Sequence, residues 1–318
     1  MGGKGLMEYK KRKIFILVGP TSSGKTSLAI KLCKKFNGEI ISADSRQLCK
    51  FMDIGTGKLP IKSNAKVKKN DNCWVVDGVN VWGYDLVTPD KFFSGYDFAL
   101  FSLKKSLELM DNGKNVFLVG GTGLYIDLFT GEIRPSGASP NEKFRSLLDN
   151  LSLEKLQIVL KTISPEDYKK IDLNNKVRLI RALEKKMPSK TSSTPLPYLE
   201  DVGFVYIGLI GDRELLYERS DKWVDFIWKN GLIDEVEGLI KMGYANSHKM
   251  KGLVYKTTVS FINKKITEKE AIERIKFDIH AYIRRQQTWF KRNKNIMWVD
   301  ISKDGFEEII YNIIKGEI

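Results

Sequence analysis

The chain has 318 residues, 42% hydrophobic and 29% charged, with 53 Lys and Arg against 39 Asp and Glu and a formal charge of +14. Such a composition excludes a disordered or fibrous chain and provides for one main core plus a smaller appendage. The basic excess points to a polyanionic partner such as nucleic acid.

Three cysteines (Cys33, Cys49, Cys73) and two histidines (His248, His280) show no zinc-ligand spacing and no disulfide framework, which fits a reducing cytosol. The opening MGGKGLMEYKKRK lacks the apolar core of a secretory signal, and no run approaches the roughly 18 apolar residues of a membrane span. A cytoplasmic protein with no membrane partner is expected.

In chain order, the apolar run at residues 14–18 predicts a buried strand, and SLAIKLCKKF (27–36) predicts a helix with Leu28 and Leu32 one turn apart. EIISAD (39–44) is a second strand and KNVFLVGG (114–121) a third. Between them, Lys58–Lys69 is polar and expected to be mobile, and WVVDGVNV predicts a hairpin turning at Asp77-Gly78. A capping box at Ser94 opens a helix that ends near Gly113. From RPSGASP onward only helices follow, with Ser139 and Ser164 as cap residues before a proline, then a helix at 177–187 and a Ser/Thr/Pro-rich loop. The sheet resumes with FVYIGLIG (204–211), followed by helices over 213–242. A long helix capped by Thr267 and Glu270 runs to about Arg292, and IMWVD (296–300) is a last strand. The expected architecture is α/β: a P-loop, doubly wound parallel sheet with an all-helical insertion domain. Residues 1–133 form the first part of the core, 134–199 the insertion, and 200–318 complete the core.

Gly19-x4-Gly24-Lys25-Thr26 lies between the first strand and its helix, the context in which such a loop cradles phosphates. Glycine lets backbone N–H groups curl inward, and the helix N-terminus adds partial positive charge. Lys25 would bridge terminal phosphate oxygens, and Thr26 would place its hydroxyl on Mg2+. An ATPase or kinase would also carry an acid at the end of the third strand. That strand ends in Gly120-Gly121 instead, and the acid, Asp44, closes the second strand just before Arg46 and Gln47. In the long helix no carboxylate lies between Asp278 and Asp300, while Arg285, Trp289 and Arg292 share one face. Cations with an interleaved aromatic suit RNA phosphates and stacked bases; a solvated face with Trp289 packed inward is the alternative. A small-molecule P-loop kinase and an RNA-binding NTPase both remain open on these residues, although the kinase leaves the basic helix unexplained.

GPTSSGKT, EIISADSRQLCKFMDIGTGK, LVGGTGLYI and RRQQTWFKR occur in that order, and together they resemble the tRNA dimethylallyltransferases (tRNA isopentenyltransferases) of bacterial type over about Ile14 to Arg292. The resemblance implies transfer of a dimethylallyl group from dimethylallyl diphosphate to the exocyclic amine of an adenosine in the tRNA anticodon stem-loop, with pyrophosphate leaving. It implies Asp44 as general base, with Thr122 near the substrate and Lys25 on the leaving group. Gly19, Thr21, Ser22, Ser23, Gly24, Lys25, Thr26 and Arg219 would hold the diphosphate, with Mg2+ on Thr26. For tRNA it implies Asp44, Ser45, Arg46, Gln47, Arg284, Arg285, Gln286, Trp289 and Arg292, and in the insertion Arg178 and Arg181. Gly120 and Gly121 are expected to let the backbone approach the ligand closely. The chain departs from the family pattern at Trp223, where a second arginine is expected, at Cys49 in place of a tyrosine, and at His280 in place of an arginine. A zinc-free monomer is expected.

Overall fold

Seven residues with five buried in succession form strand β1 (Arg12–Val18), and a strand buried on both faces belongs inside a parallel sheet. The computed structural model describes residues 11–59, 65–70, 73–134, 141–186, 196, 199 and 201–318. It divides into two compact units, Met1–Glu132 with Tyr198–Ile318, and Ile133–Pro197.

In the larger unit β1 is followed by α1 (Lys25–Lys35), β2 (Gly38–Ser42), β3 (Val67–Asn70), β4 (Cys73–Val76), β5 (Val79–Trp82), α2 (Gly95–Asp111), β6 (Asn115–Gly120) and α3 (Gly123–Thr130). The smaller unit holds α4 (Glu142–Asp149), α5 (Leu153–Ile163), α6 (Pro165–Lys170) and α7 (Lys176–Lys186). The larger unit then resumes with β7 (Val202–Ile210), α8 (Arg213–Lys229), α9 (Leu232–Lys241), α10 (Leu253–Ile262), α11 (Glu268–Phe290), β8 (Met297–Asp300) and α12 (Phe306–Glu317).

The strands form one eight-stranded sheet in the order β3-β4-β5-β2-β6-β1-β7-β8. Pairings from β5 across to β8 are parallel, and β3–β4 and β4–β5 are antiparallel. Because β6 lies between β1 and β2, the carboxyl ends of these three strands open side by side, where ligands bind in sheets of this type. Gly120 lets the β6 end press against the β2 end, since a Cβ there would stand 2.2 Å from the Ala43 carbonyl oxygen.

Local chemistry starts the helices. Ser94 and Asp97 cap α2 reciprocally, as do Thr267 and Glu270 at α11. Asn141 caps α4 by accepting from the Phe144 N–H; the expected cap Ser139 lies outside the described residues. Ser164 precedes Pro165 as anticipated, but its hydroxyl donates to Asp167 and makes no amide cap.

The Lys58–Lys69 stretch differs from expectation. Lys58 is buried, its ammonium donating to the Cys49 carbonyl at 2.5 Å, to Asp53 at 2.8 Å and to Asp85 at 2.5 Å. Val67–Asn70 is an edge strand on β4. Burying a lysine is costly unless such acceptors surround its nitrogen, so two carboxylates turn a polar run into an anchor. Residues 60–64 lie outside the described residues.

The small unit has its own core of Leu148, Leu156, Leu160, Leu179, Ile180 and Leu183. Its buried Glu184 accepts from Arg145, from Arg181 and from the Asn141 N–H. Burial alone would raise this carboxyl, but Arg145, the Asn141 amide and Arg181 hold it at about 2.

Candidate active site

Three strand ends build the site. After β1, Gly19 takes φ 148° and Gly24 φ 83°. A Cβ on Gly19 would lie 2.7 Å from the Leu209 carbonyl oxygen, so only glycine fits there. The Ser23 hydroxyl donates to the Pro20 carbonyl at 2.8 Å, and the Lys25 ammonium reaches the same oxygen at 2.6 Å. Gly24 offers no side-chain cap, so the first amides of α1 carry no partner from a cap residue. Burial lowers the Lys25 pKa to about 8, against the pull of the Asp44 charge, which raises it. Such a loop offers N–H groups and one adjustable ammonium to an anion.

Asp44 follows β2, and its Oδ1 accepts from the Arg46 N–H at 2.9 Å. After β6, the Thr122 N–H donates to the Ala43 carbonyl at 3.1 Å, and Thr122 Oγ1 accepts from the Ser45 N–H at 3.0 Å. These bonds lock Thr122 against the turn that carries Asp44. Tyr84, Tyr125 and Tyr282 all feel the Asp44 charge. Burial first and Asp44 second push Tyr282 up to about 12 and raise Tyr84 and Tyr125 as well. All three phenols therefore stay neutral at physiological pH.

A cavity of about 290 Å³ lies alongside, lined by Ser45, Arg46, His248, Lys249, Lys251 and Tyr255 among others. Lys249 donates to the Ser45 carbonyl at 3.0 Å. Burial, then Lys249 and Lys251, lower the His248 pKa, so its imidazole favours the neutral form. Opposite, Glu235 accepts from the Asp53, Ile54 and Gly55 amides at 2.7, 2.6 and 3.1 Å and from the Tyr255 hydroxyl at 2.8 Å. That carboxylate shapes the loop after Asp44. No motif marks it in the sequence, nor the basic trio His248, Lys249 and Lys251.

Among the described residues no cluster of three or more His, Cys, Asp or Glu could hold a metal. Mg2+ usually takes only one or two protein ligands and the rest from phosphate and water. The half-buried Thr26 on the first turn of α1 fits that smaller role.

A family model described as IPP transferase matches residues 47–293. The tRNA dimethylallyltransferase of Acetivibrio thermocellus is 38% identical over 313 residues, 94% of this chain and 96% of that protein. The chain belongs to the IPP transferase family. The tRNA dimethylallyltransferase of Bacillus cereus is 33% identical over 321 residues, 98% of this chain and 97% of its own length. The crystal structure of the full-length tRNA isopentenylpyrophosphate transferase of Bacillus halodurans superposes with a TM-score of 0.70 at 32% identity, covering 96% of this chain and 97% of that one. A eukaryotic dimethylallyltransferase acting on tRNA shares the fold with a TM-score of 0.72 at 21% identity, over 95% of this chain and 78% of that one.

In this member of the IPP transferase family, several residues expected at the substrate also bond within the protein. Gln47 accepts from Ser42 at 2.7 Å and donates to the Thr56 and Gly57 carbonyls at 3.2 and 3.4 Å, so its amide organises the loop. Gln286 is buried and bonded at both ends to backbone, accepting from the Thr21 N–H and donating to the Gly121 carbonyl. Trp289 packs inward over Gly123, and its N–H donates to Asp127 at 3.0 Å. A Cβ on Gly121 would meet Gln286 Nε2 at 2.0 Å. Arg181 is held by Glu184, so its guanidinium serves the helical core. Arg284 donates to the Tyr217 hydroxyl at 2.8 Å from an exposed position. Arg178, Arg219, Arg285 and Arg292 are exposed, Arg292 standing 4.0 Å above the Trp289 ring. Trp223, where the resemblance led us to expect a second arginine, packs beside Gly57. His280 stacks on Tyr217 at 3.8 Å and pairs with Asp221 at 2.8 Å. No described helix is long and apolar enough to cross a membrane.

Proposed function

We propose that this prenyltransferase moves a dimethylallyl group from dimethylallyl diphosphate to the exocyclic amino nitrogen of an adenosine beside the anticodon of tRNA, releasing pyrophosphate. The observation that carries this reading is the Asp44 carboxylate beside the phosphate loop, locked there through Ala43, Thr122 and Ser45 in a chain of this family.

The loop Gly19–Thr26, a P-loop in this reading, holds the diphosphate, with Thr21, Ser22, Ser23 and Gly24 shaping it and Lys25 donating to the oxygen that departs. The allylic C–O bond breaks, its electron pair leaves on the diphosphate, and the amine nitrogen forms the new N–C bond. Asp44 takes the proton that nitrogen must lose, contributing on the order of 10²–10⁴-fold. Thr122 fixes the turn beside Asp44. Thr26 and the diphosphate oxygens would hold Mg2+, which supplies charge neutralisation on the leaving group when bound. Arg219, exposed on α8, is assigned to the diphosphate through the resemblance alone.

The cavity beside Asp44, with Arg46, Lys249 and Lys251 in its wall, takes the RNA backbone next to the target base. Arg284, Arg285 and Arg292 extend this basic surface, and Arg178 is an exposed guanidinium of the helical unit, proposed as an RNA-contacting insertion. The protein acts as a cytoplasmic monomer. Mass analysis of adenosines from tRNA incubated with protein, donor and Mg2+ tests the reading. Alkylated adenosine with matching pyrophosphate release is expected; ATP-dependent phosphorylation of a small acceptor without alkylated adenosine overturns it.

Arg285→Ala is expected to weaken tRNA binding and to lower the slope of log K against log salt by about 1. Filter binding across a salt series checks this, and an unchanged slope takes the α11 face away from RNA.

A further inference from the structure

We propose that Gln286 is a positioning residue for the diphosphate donor, holding the phosphate loop and the β6–α3 turn in register from the inner face of α11. This rests on the reading above that the loop holds a diphosphate.

Gln286 is 4% exposed and stands among Ile275, Ile279, Ile283 and Phe290, the buried face of α11. An amide in such a place must bond at both ends. It does so to two different loops: Oε1 accepts from the Thr21 N–H at 2.8 Å, and Nε2 donates to the Gly121 carbonyl at 3.0 Å. Only one orientation of the amide satisfies an N–H and a carbonyl together.

The glycines of the β6–α3 turn make the room. A Cβ on Gly121 would come 2.0 Å from Gln286 Nε2, and one on Gly123 would come 2.1 Å from the Trp289 ring. Gln286 and Trp289 are three residues apart on one side of the helix, so the GGTG turn and the QQTW segment fit each other as two halves of a joint.

The consequence reaches the chemistry at both ends of the amide. Thr21 spends its N–H on Gln286, so the curl of the loop is braced from outside the anion site. Gly121 adjoins Thr122, which bonds the Ser45 amide next to Asp44. One side chain thereby sets the spacing between the donor cradle and the proton acceptor.

Steady-state kinetics on the full chain with dimethylallyl diphosphate and tRNA test this. Two lost hydrogen bonds are expected to raise the donor KM about tenfold in Gln286→Ala, with the tRNA KM within about twofold. The inhibition constant of inorganic pyrophosphate should rise by the same factor. Gln286→Met keeps the volume and should show the same donor defect with a near-native melting temperature, whereas Gln286→Glu retains only the acceptor and adds charge near the anion, so its donor KM rises at least as far. Gly121→Ala should raise the donor KM alone and add little in the Gln286→Ala background. An unchanged donor KM in Gln286→Met overturns the proposal, as does a rise shared equally by donor and tRNA. If pyrophosphate fails to compete with the donor on the unmodified protein, the diphosphate-loop reading itself falls, whatever the variants do.

Discussion

Asp44→Asn is expected to lower single-turnover prenyl transfer by about 10²–10⁴-fold, with tRNA affinity changed by less than about twofold. The amide is nearly isosteric and retains an oxygen for the Arg46 N–H, now 2.9 Å from Oδ1, so the turn keeps its shape. What disappears is the group that accepts the proton of the attacking amine. The comparison belongs at about pH 6.5, because the Asp44 charge also supports protonation of Lys25. There, below the Lys25 pKa of about 8, that ammonium remains largely charged, and the loss of the base is read separately. A variant transferring at close to the unmodified rate would remove Asp44 from proton transfer and leave it as a turn-forming acid.

Lys25→Met is expected to reduce kcat/KM for the donor by roughly 10²–10³-fold, the range for removing one preorganised donor from a developing anion. The methylene stem remains to pack, while the ammonium that reaches the Pro20 carbonyl at 2.6 Å is gone. The sign of the pH dependence follows from burial. Desolvation disfavours the charged amine and brings its pKa down to about 8, so the ammonium is present below that pH and lost above it. In the unmodified protein kcat/KM for the donor should therefore fall as pH rises through about 8. At saturating donor the fall should move to higher pH, since bound diphosphate favours the charged form. The limb should be missing from the Lys25→Met profile; if it persists there, it belongs to another group.

How much of the site could be read in advance depended on how far each residue's partners lie along the chain. The strand, glycine turn and helix around Lys25 were legible because they are contiguous in the chain, and the strand before Asp44 because it is an apolar run. The internal partners of Gln47 and Gln286 were hidden for the opposite reason. A glutamine amide serves a base edge or a backbone pair equally well, and the sequence does not state which neighbour arrives. The Gln286 partners Thr21 and Gly121 stand 265 and 165 residues away. Glu235 left no local trace at all, since its three amide donors sit about 180 residues earlier. The glycines of GGTG were visible, but the reason for them was not: Gly121 yields to Gln286 and Gly123 to Trp289.

By itself the sequence determined the alternation of strands and helices, the caps at Ser94 and Thr267, the glycine-bearing turn before α1 and the family to which the chain belongs. Each rests on periodicity, on hydrogen bonds spanning a few residues, or on ordered motifs. Only the tertiary structure decided the strand order that sets the ends of β1, β2 and β6 side by side, and which polar residues of α11 face inward. Those outcomes depend on which distant donor or acceptor meets a buried polar group, and burial makes that pairing obligatory without recording it locally.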